Sequence, residues 1–465
     1  MELKVSRING LDGIDLVNFM DLIQIYDSHQ AGNEKKEKYY EGSIPLNDVN
    51  LGIALPDGLR KLEIGCAWGA KCVDVLAGRS MFDGFVGVNG ENNETLTKLV
   101  LDNNLITEYM KATRDELKFG CTFATLSADS EIGCKIRFHS TRTAAAKWNG
   151  EKGRIDCGFA IIDTKPDNET KNWHPSEINY YTDEAIYILI REKNTSIWNS
   201  IRYVHKMGRP LMEAMIWNET SAKPFGRSRI KEPIRRLIDG YIRTIANATI
   251  GLEFSTAPQK YILGVTDEQY DALINQKFKQ YVGNMLVGTA NPETGEKPTF
   301  GQLSQGSITP HVEMIRILAT QFSAATGLTV TDTGVVSEAN PTSADAVLAQ
   351  TQTLVGMAEQ LNASNGNALR SIATMALAII KNVSIDELSE EEKDIIAHFK
   401  NPALPSVAAT ADAAIKIASA RTGFAQTDTF LEMLGFSQAD IRRIKNEETR
   451  VRGAQILESE FLENE

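Results

Sequence analysis

The sequence predicts a multidomain α+β protein, mixed α/β in its N-terminal half and mostly helical beyond it. Three observations carry that expectation. The chain has 465 residues, more than one hydrophobic core organises. Alternating or β-rich runs cluster between residues 121 and 191, after helical patterns. From residue 227 onward the apolar spacing is helical, interrupted by one turn-rich segment.

The elements follow in order. Leu16, Phe19, Leu22, Ile23 and Tyr26 recur at helical spacing and predict a helix over Asp15–Ser28. Further helices are expected over Cys66–Met81 and Thr95–Leu117. Strands are expected at Cys121–Leu126, Cys134–His139, Cys157–Ile162 and Ala185–Arg191, in a largely antiparallel sheet. Residues 227–254 form a long helical pattern, with Ile230, Ile234, Leu237, Ile238, Tyr241, Ile245, Ala248 and Leu252 on one stripe. Lys231, Arg235, Asp239 and Arg243 climb another face at four-residue steps.

A small mixed segment, 255–308, holds a short helix after Thr266 and the turn-rich run Asn291-Pro292-Glu293-Thr294-Gly295-Glu296. Thr309, Pro310 and Gly327 then punctuate a helix: a cap, a proline suited to the first turn, and a glycine stop. A short polar loop, Thr329–Pro341, precedes a long helix from Thr342 or Ser343 to about Asn382, with a weak point at Asn362–Gly366 where a kink is expected. Residues 384–465 read as all-helical, with Ser389 and Glu392 as a capping box before Ile395, Ile396 and Phe399. Ser406, Thr427 and Ser437 open three more helices.

Composition narrows the function. The formal charge is −12, so the chain does not fit a protein that wraps DNA by neutralising phosphates. No stretch approaches the roughly 20 apolar residues of a membrane span, and the N-terminus lacks a signal pattern; folding in the cytoplasm is expected. The five cysteines, Cys66, Cys72, Cys121, Cys134 and Cys157, are odd in number and lack CxxC spacing, so they read as reduced core residues.

Chemistry-bearing motifs are weak. Gly65-Cys66-Ala67-Trp68-Gly69-Ala70-Lys71-Cys72 misses phosphate-loop spacing and puts cysteine where a magnesium-binding hydroxyl belongs. Gly226-Arg227-Ser228-Arg229-Ile230 lacks the closing glycine of a nucleophile elbow, and Ser228 reads as a helix cap. The six histidines show no paired-ligand spacing. No catalytic residue, metal or cofactor is expected.

Several motifs in a fixed order resemble the portal proteins of tailed, siphophage-type bacteriophages. They begin with Tyr39-Tyr40-Glu41-Gly42, Trp68, Val73-Asp74, Arg79 and Gly84-Phe85. Gly208-Arg209-Pro210-Leu211, Pro224, Gly226 and Ser228-Arg229-Ile230 follow, then Ala257–Gly264 and Pro341-Thr342-Ser343-Ala344-Asp345-Ala346. Asn401-Pro402-Ala403-Leu404-Pro405-Ser406, Ala411-Asp412-Ala413 and Leu434-Gly435 close the series. Each is weak alone; together they span nearly the whole chain. Cys66 and Cys72 depart from the pattern, and 255–308 shows little of it beyond its first ten residues.

The resemblance implies a ring, usually of twelve subunits, at one capsid vertex of the virion, assembled in the host cytoplasm. Residues 1–226 would be its wing, 227–254 and 309–327 its two stem helices, 255–308 its clip and 328–342 its tunnel loop. Residues 343–383 would return to the wing, and 384–465 would be a helical crown. Implied partners are the terminase large subunit, the head–tail adaptor, scaffold and major capsid protein, and double-stranded DNA without sequence specificity; no membrane is involved. Asp332, Thr333, Val335, Val336, Ser337, Glu338 and Asn340 would face DNA. Asn291, Glu293, Thr294, Glu296 and Lys297 would meet clip partners. Lys231, Arg235, Asp239, Arg243, Glu313 and Arg316 would lie on a stem face. For the cations of that face three roles stay open: pairing with a neighbouring stem, facing DNA, or plain solvation. A head–tail connector and a soluble enzyme with a diffuse site are the alternative classes.

Overall fold

The computed structural model describes residues 3, 5–44, 64–87, 93–166, 173–192, 195–256, 260–263, 295, 297, 299–302, 307–335, 344–403, 407–421, 423–436 and 438–463. Its architecture is mixed α+β. Helix α1 (Gly13–Glu41) buries Phe19, Leu22, Ile23 and Tyr26, the predicted stripe, but runs well past Ser28. The extra turns are polar and helix-forming, so they lack the apolar period that marks a helix in sequence. Asn33 reaches Thr141 Oγ1 at 3.1 Å, Tyr39 is buried, and Gly42 ends the helix at φ 73°.

Under α1 lies a six-stranded sheet. Its strands are β1 (Arg7–Asn9), β5 (Ala144–Asn149), β6 (Arg154–Pro166), β7 (Trp173–Tyr181), β8 (Ala185–Arg191) and β9 (Ile197–Val204). The order is β1-β9-β8-β7-β6-β5, antiparallel except that β1 runs parallel to β9. Phe159, Ile178, Tyr180, Leu189 and Trp198 form its α1-facing core. Strands β5, β7 and β9 escape sequence reading: Ala144-Ala145-Ala146 has low β propensity, and Pro175 interrupts β7. Pairing, not local preference, makes them strands.

A second sheet, β10-β3-β4, joins β3 (Cys121–Asp129), β4 (Gly133–Ser140) and β10 (Met212–Ile216). It packs with α4 (Leu105–Phe119) and the later part of the long helix α7 (Ala344–Lys381) in one core. The single helix expected over Thr95–Leu117 is two, α3 (Glu94–Asp102) and α4. Asn104 turns left-handed at φ 48° between them. Buried Asn103 fixes the break: its amide donates to Leu99 O and Cys134 O and accepts from Ile136 N at 2.9 Å. Asparagine tolerates this geometry, so the break is written in the Asn103-Asn104 pair.

The third core joins α2 (Trp68–Ala77), α5 (Glu232–Thr256), α6 (Thr309–Thr326) and the first half of α7. On α5 the expected Ile234, Leu237, Ile238 and Tyr241 pack into this core; further along, Ile242 and Ala246 are buried where Ile245 and Ala248 were expected, and Leu252 is 45 % exposed. Gly69 permits the approach of α2 to α1, since a Cβ there would meet Tyr39 O at 2.0 Å. All five cysteines are buried, which pushes their thiols up to about 11 or 12.

Helix α7 stays helical through Asn362–Gly366, the stretch expected to weaken it. Buried contacts compensate: Asn365 donates to Tyr109 Oη and Glu116 Oε2. The region 384–465 is not all-helical. The Ser389–Glu392 capping box is present but caps one turn, α8 (Glu390–Lys393). Strand β13 (Ile395–Phe399) then pairs antiparallel with β2 (Phe82–Gly87). Ile395 and Ala397 point inward and Ile396 outward, a period of two that the capping box obscured. Helices α9 (Val407–Ala420), α10 (Asp428–Met433) and α11 (Gln438–Glu463) follow as expected, with Thr427 capping α10.

Candidate functional site

Helices α5 and α6 and the start of the following turn, through Leu328 and Val335, meet in the third core. Helices α5 and α6 pack side by side; Gly240 admits Leu318, whose methyls would lie 3.2–3.5 Å from a Cβ at that position. Beyond them, β11 (Lys260–Leu263) and β12 (Thr299–Gln302) pair antiparallel, so the two ends of segment 255–308 run back alongside each other. Of its expected contact residues, Lys297 is exposed; Asn291, Glu293, Thr294 and Glu296 lie outside the described residues.

Helix α6 stops where the sequence indicates. Gly327 sits at φ 72°, and its N–H bonds Ser323 O at 2.9 Å. Thr309 occupies the first helical residue rather than the cap, and Ser307 Oγ accepts its N–H at 3.2 Å. The following turn is built by one carboxylate: Asp332 Oδ2 accepts from Thr329 N at 2.9 Å and Thr329 Oγ1 at 2.8 Å. Trp68 Nε1 donates to Thr333 O at 3.1 Å, and Val335 packs on the third core. Asp332, Thr333 and Val335 therefore anchor the loop's first half. Val336, Ser337, Glu338 and Asn340 lie outside the described residues.

The four-step face of α5 divides. Arg235 donates to Ile230 O at 2.9 Å and lies 5.9 Å from the Tyr39 ring. Asp239 accepts from Tyr39 Oη at 2.8 Å. Both face α1, while Lys231 and Arg243 are exposed. On α6, Glu313 and Arg316 pair with each other at 3.0 Å at about half exposure. Ser228 is more than a cap: its hydroxyl donates to Lys118 O and accepts from Ile230 N, ahead of the helix start at Glu232.

Sequence reading missed the node behind this assembly. Buried Arg229 donates to Cys72 O on α2, to Thr326 O at 2.5 Å at the end of α6, and to Met357 Sδ at 3.4 Å on α7. Burial lowers its pKa. Thr326 O is one of the carbonyls a helix end leaves unpaired, where the macrodipole favours a cation. Trp68 stands alongside, its ring 4.6 Å from Tyr241 and 4.8 Å from Phe322. Nothing in local sequence separates Arg229 from the exposed cations Arg227 and Lys231 close by; only its place in the resembling motif marked it.

Other resembling motifs are also ties between distant segments. Arg79 donates to Pro402 O at 2.8 Å, and Tyr40 to Asp74 Oδ1 at 3.0 Å. Arg209 joins Glu213 at 2.5 Å and Ser371 at 2.9 Å. Arg209, Arg370, Ser371 and Thr374 line an open cavity of about 330 Å³. Among the described residues no group of three or more His, Cys, Asp or Glu could hold a metal ion, and no helix is long and apolar enough to cross a membrane.

Comparison with known proteins places these features. Residues 21–453 match the family of phage portal proteins described as SPP1 Gp6-like. The portal protein of Mycobacterium phage D29 is 22 % identical over 454 residues, covering 94 % of this chain and 90 % of that one. A chain in the virion of a native gene transfer agent particle aligns over 87 % of this chain and 93 % of its own, with 11 % identity and TM-score 0.46. A chain in the neck of an empty particle of that kind aligns over 79 % and 90 %, with 12 % identity and TM-score 0.43. With its match running from α1 into α11, the chain belongs to the SPP1 Gp6-like family of phage portal proteins, structural components of the virion and not enzymes.

Proposed function

We propose that copies of this chain close into a ring at one capsid vertex, through which double-stranded DNA is packaged and ejected. The family match over residues 21–453 carries this reading. Residues 1–226 serve as wing, α5 and α6 as stem, segment 255–308 as clip, 328–342 as tunnel loop, the long helix as the return to the wing, and 384–465 as crown. The clip docks the terminase motor during filling and the head–tail adaptor afterwards; scaffold and capsid protein meet the wing. Purified protein imaged by negative stain should show discrete rings with a central hole. A stable monomer or dimer would sink the proposal.

The ring is a low-adhesion channel. If it holds twelve subunits at −12 each, it carries −144, which repels phosphate and favours sliding. Contact with DNA falls to the loop tip, Val336, Ser337, Glu338 and Asn340, which has no cation to grip phosphate; Asp332, Thr333 and Val335 hold the tip's base. Of that face, Arg235 and Asp239 turn towards Tyr39 of α1, whereas Lys231 and Arg243 are exposed. Their role is pairing with carboxylates of the neighbouring stem. Replacing Lys231, Arg235 and Arg243 together by Gln should reduce ring assembly, read by mass photometry. Normal rings with a defect confined to DNA packaging would assign the face to DNA instead.

A further inference from the structure

The six-stranded sheet is covered unequally. On one face α1 spans Phe159, Tyr180, Tyr187, Leu189 and Trp198. On the other face the second core reaches Ala160, Tyr181, Ile162 and Ile186 and stops there. Strands β8 and β9 overhang it. Their cross-strand pairs on that side are Ile186↔Tyr203, Ile188↔Ile201 and Ile190↔Asn199. Ile190, Ile201 and Tyr203 are 45 %, 47 % and 54 % exposed. Strand β1 follows β9 only from Ile197 to Asn199, and beyond Ser200 the residues Ile201–Val204 are exposed along that edge. An apolar face beside an open edge is a surface that proteins normally cover.

A second unpartnered apolar surface lies on the opposite side of the same layers. The outward stripe of α1 carries Ile14 at 71 %, Val17 at 55 % and Met20 at 39 % exposure, with exposed Gln24 continuing it. These residues sit half a helical turn away from the buried Phe19, Leu22 and Tyr26. One layered unit thus bears two different apolar patches facing opposite ways. A contact between two different patches is heterologous, and repeated with a closing rotation it makes a ring. A two-fold contact would use one patch twice and leave the other bare.

We infer that the outward stripe of α1 in one subunit seats on the overhanging β8–β9 face of the next, forming the wing-to-wing seam. The inference rests on the ring proposed above. The occupant is a second copy of this chain, because the copy itself presents the matching apolar surface on the far side of the same sheet.

The test uses a Val17→Cys/Ile201→Cys double variant of the full chain, treated with a short bis-maleimide. The five native cysteines are buried, so labelling reports the introduced pair. The double variant should give a ladder of covalent dimers, trimers and larger species in denaturing gels; each single variant should stay monomeric there. Rings in negative stain without a ladder would overturn the seam and leave the ring standing. Covalent dimers from Ile201→Cys alone would replace it with a two-fold contact. Absence of rings for the parent chain would remove both. Independently, Ile201→Lys/Tyr203→Lys should lower the ring population about tenfold or more while the circular dichroism of the subunit is unchanged. Undiminished rings from that variant would also reject the seam.

Discussion

Replacing Arg229 by Met should lower stability by about 1–3 kcal/mol and broaden thermal unfolding. The guanidinium satisfies three acceptors on three elements, Cys72 O, Thr326 O and Met357 Sδ. Methionine fills much of the space and donates nothing, so Thr326 O at the end of α6 loses its partner, while Cys72 O keeps its bond within α2 and loses a second donor. Each buried acceptor left unmade costs about 1–3 kcal/mol. Lysine should restore only part of the loss, because an ammonium lacks the planar fork that spans separated acceptors. Urea midpoints of the parent, Arg229→Met and Arg229→Lys would check the order. A methionine variant as stable as the parent would show that packing alone holds α2, α6 and α7 together. Since Thr326 ends α6, hydrogen exchange in the Thr329–Val335 turn that follows should rise in the same variant.

The second large effect is pH-dependent. Glu116 is fully buried on α4; desolvation pushes its carboxyl up to about 8, with the Asn365 amide pulling the other way. Asn365 donates to Oε2 at 2.9 Å, whereas Oε1 has no partner. The folded pKa lies above the unfolded one, so the native state holds a proton that the unfolded chain releases. That contribution is fully present below about 4.5 and is lost as pH rises towards 8. Glu116→Gln removes the titration and keeps an acceptor for Asn365. Compared with the parent, the variant should gain stability from pH 5 to pH 8, by an amount on the order of a few kcal/mol. The slope is diagnostic, because an unpartnered amide in place of Oε1 adds a constant cost at every pH. A gap that stays flat between pH 5 and 8 would mean that Glu116 is ionised in the folded protein.

The sequence revealed elements wherever an apolar period or a cap stated them locally. The α6 punctuation by Pro310 and Gly327, strand β8 and the buried face of α1 are of this kind. It failed where the deciding partner lies far away. Ile395–Phe399 follows a true capping box, yet β2, more than 300 residues earlier, makes it a strand. Asn103 breaks a helix because Cys134 and Ile136 wait to bond its amide. The site divides the same way. The helices α5 and α6 and the glycine stop after α6 were legible, but the Arg229 node was not, since its acceptors come from three separate helices. Several residues that carried the family resemblance, Arg79, Arg209, Trp68 and Arg229, proved to be such long-range ties.

Helix α7 has 38 residues and is therefore about 57 Å long. Its first half contributes Leu354, Ala358 and Leu361 to the core around α2, α5 and α6; its second half contributes Leu369, Ile372 and Met375 to the core under the small sheet. The two cores thus share one axle. A stiff rod seated in both cores links α2, α5 and α6 at one end to the β2–β13 pair at the other. A displacement of one core is therefore passed to the other along a single helix.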